Sequence, residues 1–61
     1  MKIQEFLTPQ EAAKILKLSV YTVRMYIRLG DLRALKIGRS YRIPIESFQR
    51  YLDRKVITKW G

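Results

Sequence analysis

Between residues 19 and 30 the apolar positions recur at helical spacing. Wound at about 100° per residue, Val20, Val23, Tyr26 and Ile27 fall on one side, and Tyr21, Arg24, Met25 and Arg28 on the other. Ser19 stands where a side-chain oxygen caps a helix, and Gly30 where a left-handed residue ends one. Upstream, the same spacing predicts a first helix reaching about Leu16, with Ala12, Ile15 and Leu16 inward. Thr8-Pro9-Gln10-Glu11 opens it. Thr8 is the N-cap, Pro9 suits the first helical position, and Glu11 closes a capping box, with Leu7 and Ala12 at the staple positions. Small side chains at Ala12 and Ala13 allow a second helix to approach closely. Only Lys17 and Leu18 separate the two helices, a tight turn in which Leu18 is placed to plug the corner.

Past Gly30 the period falls from 3.6 to 2. Leu35 and Ile37 alternate with Lys36, Gly38-Arg39-Ser40 is a turn candidate, and Tyr41-Arg42-Ile43 is a second short strand ended by Pro44. A lone two-stranded hairpin is marginal in water, so this one must pack on the helices. From Ile45 the helical period returns, with Ile45, Phe48, Tyr51 and Leu52 on one stripe. Glu46 suits the N-terminal end of that helix dipole, and Arg54 and Lys55 suit its C-terminal end. Val56 would extend the stripe, Ile57 and Trp60 have no assigned place, and the lead-in offers Ile3, Phe6 and Leu7 as apolar points.

The expected fold is therefore mainly α with a small β-hairpin, in the order α-α-β-β-α. A single domain spans residues 1–61: helix-turn-helix over 8–30, wing hairpin over 33–43, third helix over 45–54 and a tail over 55–61. Two short helices joined by a tight turn, the second with an outward cationic face, followed by a basic-tipped hairpin, make a winged helix-turn-helix.

Composition narrows the chemistry. With 61 residues the core is too thin to enclose a deep catalytic cavity. The chain has neither cysteine nor histidine, which removes a disulfide frame, a thiolate metal site, the usual general base and the commonest neutral metal ligand. Glu11 and Glu46 are explained by helix starts, while Glu5, Asp31 and Asp53 are scattered. No phosphate-cradling glycine motif or nucleophile elbow is present. A non-enzymatic protein with no metal or cofactor is expected. The 13 Lys and Arg outweigh the 5 Asp and Glu, for a net charge of +8 and a pI near 10.3. Spread from Lys2 to Lys59, these cations sit on a folded surface and favour a polyanion partner. The sequence offers no membrane span and no signal-peptide h-region, so a cytoplasmic protein associated with the nucleoid is expected.

The candidate contacts follow from position. Arg24 suits a fork onto guanine O6 and N7, and Arg28, nearer the helix end, suits a phosphate. Tyr21 and Thr22 lie near the N-terminus, where such contacts fall. Met25 either touches a thymine methyl or covers the first helix. Ser19 is a contact beside its capping role, and Lys17, with Lys14, is placed for phosphate. At the wing, Arg39 with Ser40 is the tip candidate for backbone or minor groove, flanked by Lys36 and Arg42. The plain alternative for all of them is a solvated polar surface.

Leu7-Thr8-Pro9-Gln10-Glu11-Ala12-Ala13, then Leu18-Ser19, Thr22-Val23-Arg24, Ile27-Arg28, Gly30-Asp31-Leu32 and Ile37-Gly38-Arg39-Ser40-Tyr41-Arg42-Ile43-Pro44 form an ordered series. It resembles the excisionase family, a compact branch of winged-helix DNA-binding domains related to the mercury-resistance (MerR) regulators, over residues 7–52. The resemblance implies sequence-specific binding to double-stranded DNA, with the recognition helix 19–29 in the major groove and the wing 36–42 on the backbone or minor groove. It also implies a role as a recombination directionality factor or a small transcription regulator. Two departures stand out. Lys17 occupies a turn position where the family commonly has Gly, at a cost of roughly 1 kcal/mol if that backbone is left-handed. The tail after Asp53 lies outside the pattern.

One such domain covers a small interface, so useful affinity calls for repeated sites, self-association, cooperative neighbours or a partner such as a recombinase. Ile57 and Trp60 are candidates for that contact, or for docking on the chain's own core. Two other readings remain open from sequence. One is the DNA-binding head of a MerR-like serine transposase, which a catalytic domain downstream of Gly61 would decide. The other is a basic protein-interaction or anionic-membrane module, for which the hairpin is an unneeded feature.

Overall fold

The computed structural model describes residues 5–57, so the expectations placed on Lys2, Ile3, Lys59 and Trp60 lie outside the described residues. In chain order the elements are β1 (Phe6–Leu7), α1 (Pro9–Leu16), α2 (Val20–Arg28), β2 (Leu35–Ile37), β3 (Ser40–Pro44) and α3 (Ile45–Lys55). Three helices and a small antiparallel sheet make a small winged helix-turn-helix fold, as the sequence pattern predicts.

Local chemistry sets both ends of α1. The Thr8 hydroxyl accepts the Glu11 N–H at 3.1 Å, and the Glu11 carboxylate accepts the Thr8 N–H at 2.8 Å. This reciprocal box satisfies two backbone donors that the first helical turn leaves open. At the other end Lys17 adopts φ 57° and ψ 43°, the left-handed conformation. That bend lets the Leu18 N–H return to the Ala13 carbonyl at 2.9 Å. Ser19 is extended and accepts the Thr22 N–H at 3.1 Å, starting α2 at once. Past α2, Gly30 takes φ +83° and the Asp31 and Leu32 N–H groups both return to the Tyr26 carbonyl. A Cβ at Gly30 would meet nothing within 4 Å, so the backbone angle rather than crowding demands glycine there.

The core is formed by Ala12, Ala13, Val23, Leu32, Ile43, Phe48 and Tyr51, with Leu7, Leu16, Val20, Tyr26, Ile27, Ala34 and Leu52 packed around it. Ala12 and Val23 are wholly buried, and Ala13 is nearly so.

The sheet has one strand more than the two expected. β3 lies in the middle, with β1 on one side and β2 on the other. Phe6 pairs with Pro44 and Leu7 with Ile43, and the Ile45 N–H extends this ladder to the Glu5 carbonyl at 3.1 Å. The hairpin pairs Leu35 with Arg42, Lys36 with Tyr41 and Ile37 with Ser40. Its loop is therefore Gly38 and Arg39 alone, and Ser40 belongs to the strand. Gly38 carries φ +62° at the first loop position, where a two-residue hairpin turn commonly needs a positive φ.

Several inward assignments are corrected. Ile15 is 56% exposed, because the covered side of α1 runs through Ala12 and Ala13, which are buried in the core, and leaves Ile15 outside it. Leu18 is exposed and does not plug the corner; it borders a shallow hollow with Ala13 and Val20. The hairpin docks through Ile43 of β3, while Leu35 and Ile37 of β2 stay exposed. Ile45 is exposed, and Val56 lies beyond α3 in extended backbone, exposed as well.

α3 braces the end of α2 through side chains. The Tyr51 ring lies 6.4 Å from that of Tyr26, centre to centre. Arg54 donates to the Asp31 carbonyl, and Lys55 pairs with the Asp31 carboxylate at 3.1 Å.

Candidate nucleic-acid interface

α2 presents an outward stripe set by its pitch. Tyr21, Arg24 and Arg28 recur at i, i+3 and i+7, the spacing of one helix face. All three are exposed, Tyr21 at 68%. Met25 sits beside them, just exposed. Val23, on the opposite side, is wholly buried and holds the face outward. Thr22 is half-buried, and its hydroxyl lies 2.9 Å from that of Ser19. The pair of hydroxyls is thus part of the cap. Lys17 is exposed on the left-handed turn before α2, with Lys14 exposed on α1.

The wing stands next to this stripe. Lys36, Arg39 and Ser40 are exposed, and Arg42 is half-buried with Nη1 donating to the Tyr41 carbonyl at 2.9 Å. That bond holds the Arg42 guanidinium against the strand and leaves donors over. A hollow of about 340 Å³ opens between α1, α2 and the hairpin. Arg24 lines it from α2, Lys36, Arg39, Ser40 and Arg42 from the wing, and Pro9 and Gln10 from the first turn of α1. Four cations thus converge on one concavity, and none of its lining residues is acidic. None of the candidate cations is ion-paired among the described residues. A concave cluster of unpaired cations focuses positive potential on whatever anion enters.

Lys17, Ser19, Tyr21, Thr22, Met25 and Arg28 do not line this hollow. They continue from it along α2 and its preceding turn, so the candidates form a strip with a deep end at the wing. Three residues of the deep end, Pro9, Gln10 and Tyr41, were not among the candidates read from the sequence. Gln10 had a readable signal. It is the second residue of a strongly capped helix, where backbone N–H groups and the helix dipole favour anions. Tyr41 is placed by its pairing with Lys36, a register that only the folded hairpin defines.

No helix among the described residues is long and apolar enough to cross a membrane. A family model described as a helix-turn-helix domain matches residues 6–56, most of the chain. No curated protein and no solved structure matches it.

Proposed function

This chain belongs to the helix-turn-helix domain family and is a DNA-binding protein, and from that premise we propose that it reads a specific sequence in double-stranded DNA. The observation that carries the proposal is the convergence of Arg24 with Lys36, Arg39 and Arg42 in one hollow. A recognition helix and a wing that share a cationic concavity can grip one stretch of duplex from two sides.

In this reading α2 enters the major groove. Arg24 forks onto a guanine edge, Tyr21 and Met25 complete the base contacts, and Thr22 acts mainly with Ser19 at the helix start. Arg28, Lys17 and the wing residues Lys36, Arg39, Ser40 and Arg42 hold phosphates or reach the adjacent minor groove. Phosphate contacts supply most of the affinity, and the few base contacts supply the preference. The protein acts by binding alone, in an excisionase-like role. It directs a recombinase or regulates transcription of a small element, from repeated sites that neighbouring copies occupy together.

Binding to duplexes drawn from the DNA flanking its own gene, followed over a salt series, tests this. Log K should fall with log salt at about 0.9 per phosphate contacted. One flanking duplex should bind far more tightly than random duplex at every salt. Equal affinity for all duplexes would sink the sequence-specific reading. A footprint on the same DNA counts the copies bound.

A further inference from the structure

Cross-strand partners share a sheet face. The pairs Phe6–Pro44, Leu35–Arg42 and Ile37–Ser40 therefore lie together, on the side of the sheet away from Leu7, Tyr41 and Ile43. Ile43 is fully buried beneath the helices, so the first set looks outward. Phe6, Leu35 and Ile37 are all exposed there, Leu35 at 47% and Ile37 at 58%. Leu35 and Pro44 also wall an open hollow of about 570 Å³, together with Ile27, Leu32, Ala34 and Arg33. Isolated apolar side chains are normal on a protein surface, but a contiguous patch marks an interaction site.

We infer that this outer sheet face and its hollow are a second interaction surface, which seats an acidic segment with apolar anchors from a partner protein. The charge selects the occupant. Arg33 lines the hollow and is exposed, and no lining residue is acidic. A second copy would bring the same +8 charge to this face and be repelled. A duplex offers charge but nothing to cover Leu35 and Ile37. An acidic segment does both: its apolar side chains fill the hollow, and a carboxylate meets Arg33 at the rim, steering and orienting the encounter.

The hollow shares no residue with the cationic one between α2 and the wing. A segment seated in this hollow and DNA held in the other therefore meet different lining residues, and one copy can hold both. This inference does not rest on the sequence-specific reading, and its test needs no DNA.

The experiment titrates isotope-labelled protein with a synthetic peptide in which Glu and Asp alternate with Leu and Phe. A control peptide replaces the acidic residues with Lys and Arg. The acidic peptide should shift the amide resonances of Ile27 and residues 33–37 saturably, and the basic one should not. Leu35→Ser combined with Ile37→Ser should weaken the acidic peptide at least about tenfold, a loss of about 1.4 kcal/mol. Both residues are exposed, so the melting temperature should hold and show that the fold survives. Shifts centred on Arg24 and Arg39 would mean the peptide acts only as a polyanion, and would overturn the assignment. So would equal binding of both peptides or the absence of saturable shifts. A dimer of the peptide-free protein that the double substitution dissolves would give the face to a second copy instead.

Discussion

Arg54 reaches back across 23 residues and donates from Nη2 to the Asp31 backbone carbonyl at 2.7 Å. Asp31 follows the glycine that ends α2, so this bond ties the last turn of α3 to the exit of α2. Lys55 adds the ion pair to the Asp31 carboxylate, and both cations sit near the Tyr51 ring, at 5.9 and 5.3 Å from its centre. Two residues of α3 thus fix where the chain leaves α2 and turns toward the wing.

Arg54→Ala should therefore destabilise the protein by about 1 kcal/mol, a charged hydrogen bond discounted for its exposure. Thermal melts would measure the loss. With the exit of α2 loosened, the preference for the specific duplex should also fall, while binding to random duplex stays nearly unchanged. A variant as stable and as selective as the parent would remove the brace from the account.

The Tyr51 phenol gives a pH signature. Burial first, and the Asp31 carboxylate second, push its pKa above the ordinary 10.0, against the opposing pull of Lys55 and Arg54. A group whose pKa is raised on folding adds stability that is full below the unfolded pKa and is lost as pH climbs through the folded one. Denaturation curves should show stability declining above about pH 10. Tyr51→Phe should flatten that part of the decline, and an identical profile in both proteins would contradict the assignment.

Lys17 holds a left-handed backbone at φ 57° without being glycine. Lys17→Gly should raise stability by about 1 kcal/mol, or about 4–8 °C in melting temperature for a domain of this size. If Lys17 meets a phosphate, the same change lowers the salt slope of DNA binding by about 0.9. One substitution would then stabilise the fold and weaken the complex. A glycine variant that melts no higher would show that the turn carries no strain.

Arg24 and Arg39 line one hollow from different elements, and their variants should behave differently. Arg24→Ala should cost about 1–3 kcal/mol on the specific duplex and little on random DNA. Arg39→Ala should weaken every duplex alike and reduce the salt slope by about 0.9. Competition binding with the two duplexes separates the cases. If both variants lost affinity uniformly, base reading by Arg24 would be wrong.

The helix starts were readable because their causes are local. Thr8 meets Glu11, and Ser19 meets Thr22, within a single turn. The left-handed exit at Gly30 is a property of one residue. β1 was not readable. Phe6 and Leu7 are too short a run to show any period, and they become a strand only by pairing with Pro44 and Ile43. The side of Ile15 was misassigned for a related reason. A short helix has several apolar residues near its inner face, and the packing of the whole core decides which are covered. In the candidate interface, the outward stripe of α2 followed from its pitch. The participation of Gln10 and Tyr41 followed from how α1 and the hairpin close on it.

The sequence by itself determined the order of the three helices and the hairpin, the caps of α1 and α2, the glycine exit of α2 and the excess of cations, because each depends on neighbours a few residues apart or on composition alone. Only the tertiary structure decided that β3 stands between β1 and β2, that Arg54 and Lys55 close on Asp31, and that Leu35 and Ile37 face outward. It also decided that Arg24 shares a hollow with Lys36, Arg39 and Arg42. Each of these joins residues far apart in the chain. Their meeting depends on register and on where helices cross, which no local pattern of residues encodes.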